Sequence, residues 1–244
     1  MDASLWDAIA RVERRHWWFR GRRELVVSVL RSRLPDGARV VDVGCGTGFV
    51  LERLLDHFDA SGLEPDASVR SRAAEPARSR VRAGSTDDLR AVEPGSFDAV
   101  LLLDVLEHLD DDVGALRAVR TLLRPGGFVL ATVPAMPWLW SSHDVRNEHR
   151  RRYTRPGLAR VLREAGLSPL VLSHVNSRLF PLALVHRAAT AAFGTRTDRE
   201  LSVPPRPVNE LFSRLFAGEG RRPGQGGRYR AGLSLLALAE PAAP

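Results

Sequence analysis

Three glycines at alternate positions, Gly44, Gly46 and Gly48, close the segment Arg39 to Gly48 (RVVDVGCGTG) and constrain this chain more than any other feature. Ahead of them Val40, Val41 and Val43 form a β-branched apolar run bounded upstream by Pro35 and Gly37, which predicts a short strand buried in a parallel sheet. Behind them Leu51, Leu54, Leu55 and Phe58 recur at helical spacing, so the unit reads strand, glycine turn, helix. In such a turn the backbone bends sharply and approaches a ligand, and a Cβ would obstruct both. Amide groups at the helix start are then open to a polar ligand. An acidic residue, Glu64, ends the next apolar run about 20 positions after Gly44, where a doubly wound sheet places a ribose-binding carboxylate.

The segment VVDVGCGTG resembles the first motif of the class I S-adenosylmethionine-dependent methyltransferases, and its glycine spacing differs from the G-x-G-x-x-G of dinucleotide-binding loops. The resemblance implies an α/β fold: a doubly wound, seven-stranded, mostly parallel sheet within a single domain. An N-terminal helical lid over 1–34 precedes a core over 35–173. A helical insert or cap over 174–231 then leads to a last, antiparallel strand over 232–239. It also implies S-adenosyl-L-methionine as cofactor, with Asp42, Gly44, Cys45, Gly46 and Gly48 around it and Glu64, followed by Pro65, at its ribose. Many relatives carry an aspartate after the glycine that ends the third strand. Here Ser85 and Thr86 follow Gly84, which leaves a hydroxyl, Asp87 or a backbone group to meet the adenine.

Length and charge narrow the rest. The 244 residues suffice for one α/β domain with elaborations. The single cysteine, Cys45, excludes an internal disulfide, and the acidic start MDASLWDAIARVERR lacks the apolar core of a signal peptide, so a cytoplasmic protein is expected. The formal charge of +7 invites a polyanion partner, yet every basic residue is arginine and none is lysine, a bias of GC-rich coding. No basic run interleaves with aromatics on a sheet, and nucleic acid is not expected as a partner.

Before the first strand, HWWFRGRR (His16 to Arg23) interrupts helical spacing with three consecutive aromatics. It resembles the W-W-F-x-x-R-R segment of the subgroup that includes the ubiquinone-pathway O-methyltransferases. There a helix lids the cofactor and an arginine meets its carboxylate, which puts Arg23 in that role, Arg22 second, and Trp18 nearby. A guanidinium suits the task because it grips a carboxylate with two parallel hydrogen bonds. Phe97 to Leu103 is an all but continuous apolar run and predicts a central strand. The DVLEHL that follows resembles the family's post-strand motif, so Leu103, Asp104, Val105 and His108 are expected at the cofactor, with Glu107 and His108 orienting the loop. Asp110, Asp111 and Asp112 read as a loop and helix N-terminus; no metal is expected.

Beyond the fifth strand, the loop 136–153 gathers histidines, tryptophans, arginines and a tyrosine. It is similar to the subgroup's substrate wall at His143, Asp144, His149, Arg151, Arg152 and Tyr153, and His149, His143 and Tyr153 are the candidate catalytic residues. An imidazole titrates near neutrality and can take a proton from an acceptor hydroxyl. A structural reading stands beside this one, with Tyr153 and Thr154 capping the next helix. The expected acceptor is a small molecule, a secondary metabolite or a lipid- or isoprenoid-linked compound. Methylation at N or C, and a fold kept for a rearrangement or as a scaffold, are the other readings. In the insert, apolar helical spacing over Leu179 to Phe193 and Leu211 to Phe216 lies beside Arg187, Arg196, Arg199, Arg206, Arg214, Arg221 and Arg222. Residues 179–230 are therefore expected to cap the substrate or touch an anionic membrane at its inner face, with packing onto the sheet or a dimer partner as the alternative. GEGRRPGQGG (Gly218 to Gly227) reads as a loose connection. The chain is a monomer or a homodimer on this reading.

Overall fold

The computed structural model describes residues 3–193 and 201–243. Two helices, α1 (Ala3–Val12) and α2 (Trp17–Arg31), precede the sheet. Its strands are β1 (Arg39–Val43), β2 (Asp59–Glu64), β3 (Val81–Ala83), β4 (Phe97–Leu103), β5 (Leu123–Pro134), β6 (Leu167–Val175) and β7 (Ser234–Pro241). They form one seven-stranded sheet in the order β3-β2-β1-β4-β5-β7-β6. Neighbours from β3 to β5 run parallel, and β7 lies antiparallel to both β5 and β6. The chain order reverses between β1 and β4, so a crevice opens at their carboxyl ends, where the loops diverge to opposite faces.

The connecting helices are α3 (Phe49–Leu54), α4 (Ala67–Arg70), α5 (Asp112–Thr121), α6 (Ser142–Arg146), α7 (Arg155–Glu164), α8 (Phe180–Phe193), α9 (Arg206–Ala217) and α10 (Arg221–Gly224). Successive strand residues face opposite ways, and both faces are covered. On one face Val40, Leu101, Leu130 and Leu236 pack with Leu25, Val29 and Leu30 of α2, Leu51 and Leu54 of α3, and Phe216 of α9. On the other, Val41, Val100, Leu102 and Val133 pack with Leu116 and Val119 of α5 and Leu158 and Leu162 of α7. Asp111 caps α5 by accepting from the Gly114 amide at 2.7 Å, the role expected of that acidic run.

The last two strands are longer than their apolar runs. β6 continues to Val175 and β7 spans Ser234 to Pro241, because each pairs with the other along its whole length. The 218–227 segment is not a loose connection. It holds α10 and lies against α2: a Cβ on Gly220 would sit 2.6 Å from the Leu25 carbonyl oxygen, and one on Gly224 would sit 2.3 Å from Ser32 Oγ. Its glycines allow backbone contact, and Glu219 is fully buried, accepting from the amides of Ser177 and Arg178 ahead of α8. Arg196 and Arg199 lie outside the described residues. Among the described residues no helix is long and apolar enough to cross a membrane.

Candidate active site

The glycine turn is built as its spacing requires. Gly44, Gly46 and Gly48 have φ of 76°, 58° and 77°, left-handed values that a side chain would strain. A Cβ on Gly44 would come within 2.7 Å of a Val105 methyl, which is how the turn packs against the loop after β4. Glu64 is buried at the end of β2. One of its carboxylate oxygens accepts from the Gly46 amide at 3.0 Å and the other from the Asp66 amide at 3.0 Å. Burial raises its pKa against the pull of those amides. Pro65 follows on the surface, and the Cys45 thiol is buried beneath the turn with its pKa pushed up by desolvation.

Helix α1 covers this turn; a helical lid was expected over 1–34, but not the residues that make the contact. The Trp6 ring lies 3.1 Å from where a Gly46 Cβ would stand, and the buried Glu13 carboxylate accepts from the Thr47 hydroxyl at 2.7 Å. The amphipathic spacing of α1 was its one visible signal.

At the end of β4 the two arginines of α2, of which Arg23 was the first expected at the cofactor and Arg22 the second, take different partners. The Arg22 guanidinium pairs with Asp104 at 2.7 Å and lies 5.2 Å from the Trp18 ring centroid, which brings Trp18 to the site. Arg23 does not reach the strand ends. It stacks 4.2 Å from the Phe49 ring centroid and pairs with Glu24 at 3.2 Å. One residue is 100° of helix rotation, enough to turn Arg23 onto α3 while Arg22 faces the crevice. Asp104 has φ of 55°, rare for a residue with a Cβ, and its second oxygen accepts from the Thr132 hydroxyl at 3.0 Å. Asp42, at the end of β1, is 1% exposed, and burial pushes its pKa up to about 7 despite the nearby Arg22 charge. Leu103 and Val105 flank Asp104.

The Ser85 hydroxyl is already engaged. Ser85 and Asp88 form a reciprocal cap on the turn after β3, and Thr86 is buried behind them. The capping ties the hydroxyl to local structure, so an adenine contact there falls to backbone groups or to Asp87.

The loop after β5 closes over the loop after β4. His149 Nδ1 donates to Asp144 at 3.0 Å, and Arg152 Nε donates to the same carboxylate oxygen at 2.7 Å. Asp144 is wholly buried. Burial alone would raise its pKa, but the bonds from His149 and Arg152 outweigh that and hold it well below the usual carboxylate range. The His149 ring lies 5.0 Å from that of His108 and 5.9 Å from that of His143. Burial, and then the charge of His149, lower the His108 pKa. His108, expected at the cofactor, lies within this histidine cluster. Tyr153, a candidate catalytic residue, is 5% exposed and engaged within the protein. Its hydroxyl donates to Asp112 at 2.7 Å and also approaches the Leu106 carbonyl, and burial with the Asp112 bond drives its pKa upward. Arg151 braces the same junction, bonded to Asp112 and to the Leu109 carbonyl.

Glu107 does not orient the loop through hydrogen bonds. It is fully buried, both carboxylate oxygens lack partners, and burial and then Asp104 raise its pKa. Ligand atoms of Glu107, His108 and His149 lie within 4.8 Å of one another, a spacing that could seat a cation although no metal was expected. Among the described residues Asp42 Oδ1, Arg22 Nε and both Glu107 carboxylate oxygens are buried polar atoms without partners around the switch-point crevice. Several carboxylates beside one guanidinium fit a ligand that carries an ammonium, a sulfonium and a carboxylate. S-adenosyl-L-methionine is such a ligand, and Arg22, Asp42, Asp104, Glu64 and the glycine turn are the groups that could hold it.

Known proteins agree with this geometry. A family model described as a methyltransferase domain matches residues 14–172. The ubiquinone biosynthesis O-methyltransferase of Xanthomonas campestris pv. campestris (strain B100) is 39% identical over 135 residues, covering 52% of this chain and 56% of that protein. The chain therefore spans little more than half the length of that relative. The enzyme of the same name from Xanthomonas axonopodis pv. citri (strain 306) is 36% identical over 166 residues, covering 60% of this chain and 68% of its own. Among solved structures, a chain of the complex between the Haloferax volcanii Trm112 methyltransferase activator and a methyltransferase superposes with a TM-score of 0.61 at 19% identity, covering 98% of each chain. From the glycine turn, the switch-point crevice and these likenesses together, the chain belongs to the class I S-adenosylmethionine-dependent methyltransferases.

Proposed function

We propose that this chain transfers the methyl group of S-adenosyl-L-methionine to a hydroxyl of a small molecule, a secondary metabolite or a lipid- or isoprenoid-linked compound. The observation that carries the hydroxyl reading is the His149–Asp144 pair. An imidazole whose Nδ1 is committed to a buried carboxylate presents Nε2 as an acceptor, and the carboxylate stabilises the imidazolium once a proton is taken. The cofactor supplies a methyl already activated on a sulfonium, so the chain's task is alignment of the acceptor oxygen at roughly 3 to 3.5 Å. Arg22 and Asp104 fix one end of the crevice, and the glycine turn with Glu64 fixes the other. Arg151, Arg152 and Tyr153 hold the loop that carries His149. Two relatives named as ubiquinone biosynthesis O-methyltransferases support an oxygen acceptor.

The Glu107, His108 and His149 cluster favours a second route to the same product, in which a divalent cation held there lowers the pKa of the acceptor hydroxyl. Formation of S-adenosylhomocysteine with a panel of prenylated phenols and catechols tests both. His149→Ala is expected to lower kcat about 10² to 10⁴-fold with little change in S-adenosylhomocysteine affinity. Activity that survives EDTA assigns the proton to the imidazole, and a loss restored by Mg²⁺ or Mn²⁺ assigns it to a cation. No turnover on any hydroxyl acceptor, with turnover on amines, would overturn the oxygen reading.

We also place a greasy acceptor or an anionic lipid surface at the outer edge of the insert. Trp138 and Trp140 are 67% and 43% exposed, and Leu182 and Val185 of α8 are bare as well. Arg187 of α8 ties the two together through the Leu139 carbonyl and Ser141 Oγ. The inner face of α9 is engaged with α2, so its contribution is limited to the exposed Val208, Leu211, Arg206 and Arg214. Co-sedimentation with anionic but not neutral vesicles, lost at high salt, is the result expected; binding to neither leaves the cap alone.

A further inference from the structure

A cavity of about 570 Å³ lies beside the proposed acceptor loop, between the loop after β5, the N-terminus of α7 and the chain entering β7. Its charged wall is of one sign. Arg155, Arg228 and Arg230 line it, and no aspartate or glutamate does. None of the three has an ion-pair or hydrogen-bond partner among the described residues, whereas Arg20, Arg72 and Arg124 each meet a carboxylate. His174 also faces the cavity; it is 9% exposed and its Nδ1 is buried with no partner. Another cavity, lined by Arg39, Arg80 and Arg82, makes the contrast: Asp59 and Asp88 stand in its wall, and Arg80 is paired with Asp59 at 3.0 Å.

Arg228 and Arg230 are exposed and Arg155 is half-buried, so the three guanidiniums are open to an anion arriving from solution, and their like charges favour one. A single carboxylate is satisfied by one guanidinium. Three guanidiniums match a phosphoryl group, which carries about −1.5 to −2 charges and three strong acceptor oxygens. The cavity is also too large for a bare oxyanion, and the Trp138 ring and Met136 give it an apolar side. It reaches from the carboxyl end of β5 to that of β6, roughly 10 Å over two strand spacings, on the same edge of the sheet as Asp104.

We propose that this cavity binds the phosphate or diphosphate group of an organic phosphate with an apolar or ring-bearing body, and that this ligand is the methyl acceptor. The last clause rests on the methyl-transfer reading; the anion site does not. Calorimetric titrations of the full chain with phenyl phosphate, inorganic pyrophosphate and acetate test it, beside vesicles of phosphatidylcholine containing phosphatidate. Phenyl phosphate and pyrophosphate are expected to bind, and acetate at least tenfold more weakly. Arg228→Gln should weaken phenyl phosphate about tenfold, the size of one lost charge-assisted contact, and the Arg155→Gln/Arg228→Gln/Arg230→Gln variant should abolish binding. Should the triple variant fail to fold by circular dichroism, Arg228→Gln and Arg230→Gln carry the test alone. Phosphate affinity unchanged in the variants, or equal to that of acetate, overturns the anion site. Binding confined to phosphatidate vesicles overturns the soluble acceptor. S-adenosylhomocysteine titrated into the same samples should bind equally to wild type and variants. Its failure to bind wild type would remove the methyl-transfer reading and leave the phosphate result standing.

Discussion

Asp104 and Asp42 show how single residues at the crevice carry costs that the fold alone does not require. Asp104 holds a left-handed backbone at φ 55° and an ion pair to Arg22, an arrangement that costs on the order of 1 kcal/mol in backbone strain and positions a carboxylate at the strand end. Arg22→Lys should therefore weaken S-adenosylhomocysteine nearly as much as Arg22→Ala, about tenfold or more, because lysine lacks the fork. Arg23→Ala should change it little; the reverse order, read by calorimetry, would return the role to Arg23. Asp42 makes a pH prediction. Its folded pKa of about 7 stands above the ordinary 3.8, so its contribution to stability is complete below pH 4 and is lost as pH rises from about 4 through 7. Between pH 5 and 8 the wild type should lose more stability than Asp42→Asn in urea unfolding, and parallel curves would contradict a buried, unmet carboxyl. The glycine turn, Glu64, Asp104 and His149 were all legible as residues that matter. Which of Arg22 and Arg23 turns to Asp104 was not, since it depends on the rotation of α2, nor was the bond of Tyr153 to Asp112, which is distant in sequence.

Helices α2, α9 and α10 form a unit that decides how the lid is seated. Gly21 lets the α9 backbone approach: a Cβ there would lie 2.9 Å from Phe216 Cβ and 3.0 Å from the Ser213 carbonyl oxygen. Asn209 fastens the same junction, accepting from the Trp17 amide at 2.8 Å and donating to the Arg15 carbonyl at 2.7 Å. Gly21→Val is expected to cost about 1 to 3 kcal/mol by overpacking, seen as a lower Tm, while Gly37→Ala, whose Cβ would meet nothing, pays only for its left-handed φ. Equal effects of the two would show that α9 yields freely. The central strands β1 and β4 were legible because each is a short apolar run ended by turn residues, and their place in the sheet follows from the family-like order. The packing of 218–227 was not, because a glycine that admits a neighbouring backbone and a glycine that merely bends a loop are the same letter.

At the scale of the whole molecule, the sheet places every candidate group along one edge. The glycine turn and Glu64 lie at β1 and β2, Asp104 and the histidines beyond β4, and the arginine-lined cavity from β5 to β6. On the proposed reading, cofactor, proton acceptor and anion site follow the strand order outward from the switch point. The net charge of +7 reflects arginines that mostly brace carboxylates and carbonyls, and it says little about partners by itself. What depends on the whole arrangement is cofactor binding at the switch point. Calorimetric titration of the wild type, Gly46→Val and Glu64→Ala with S-adenosylhomocysteine measures this directly. Binding to the wild type, with a loss of roughly tenfold to a hundredfold in Glu64→Ala from its charge-assisted hydrogen bonds and near abolition in Gly46→Val, is the expected result. Undiminished affinity in both variants, or no binding by the wild type, would contradict the site.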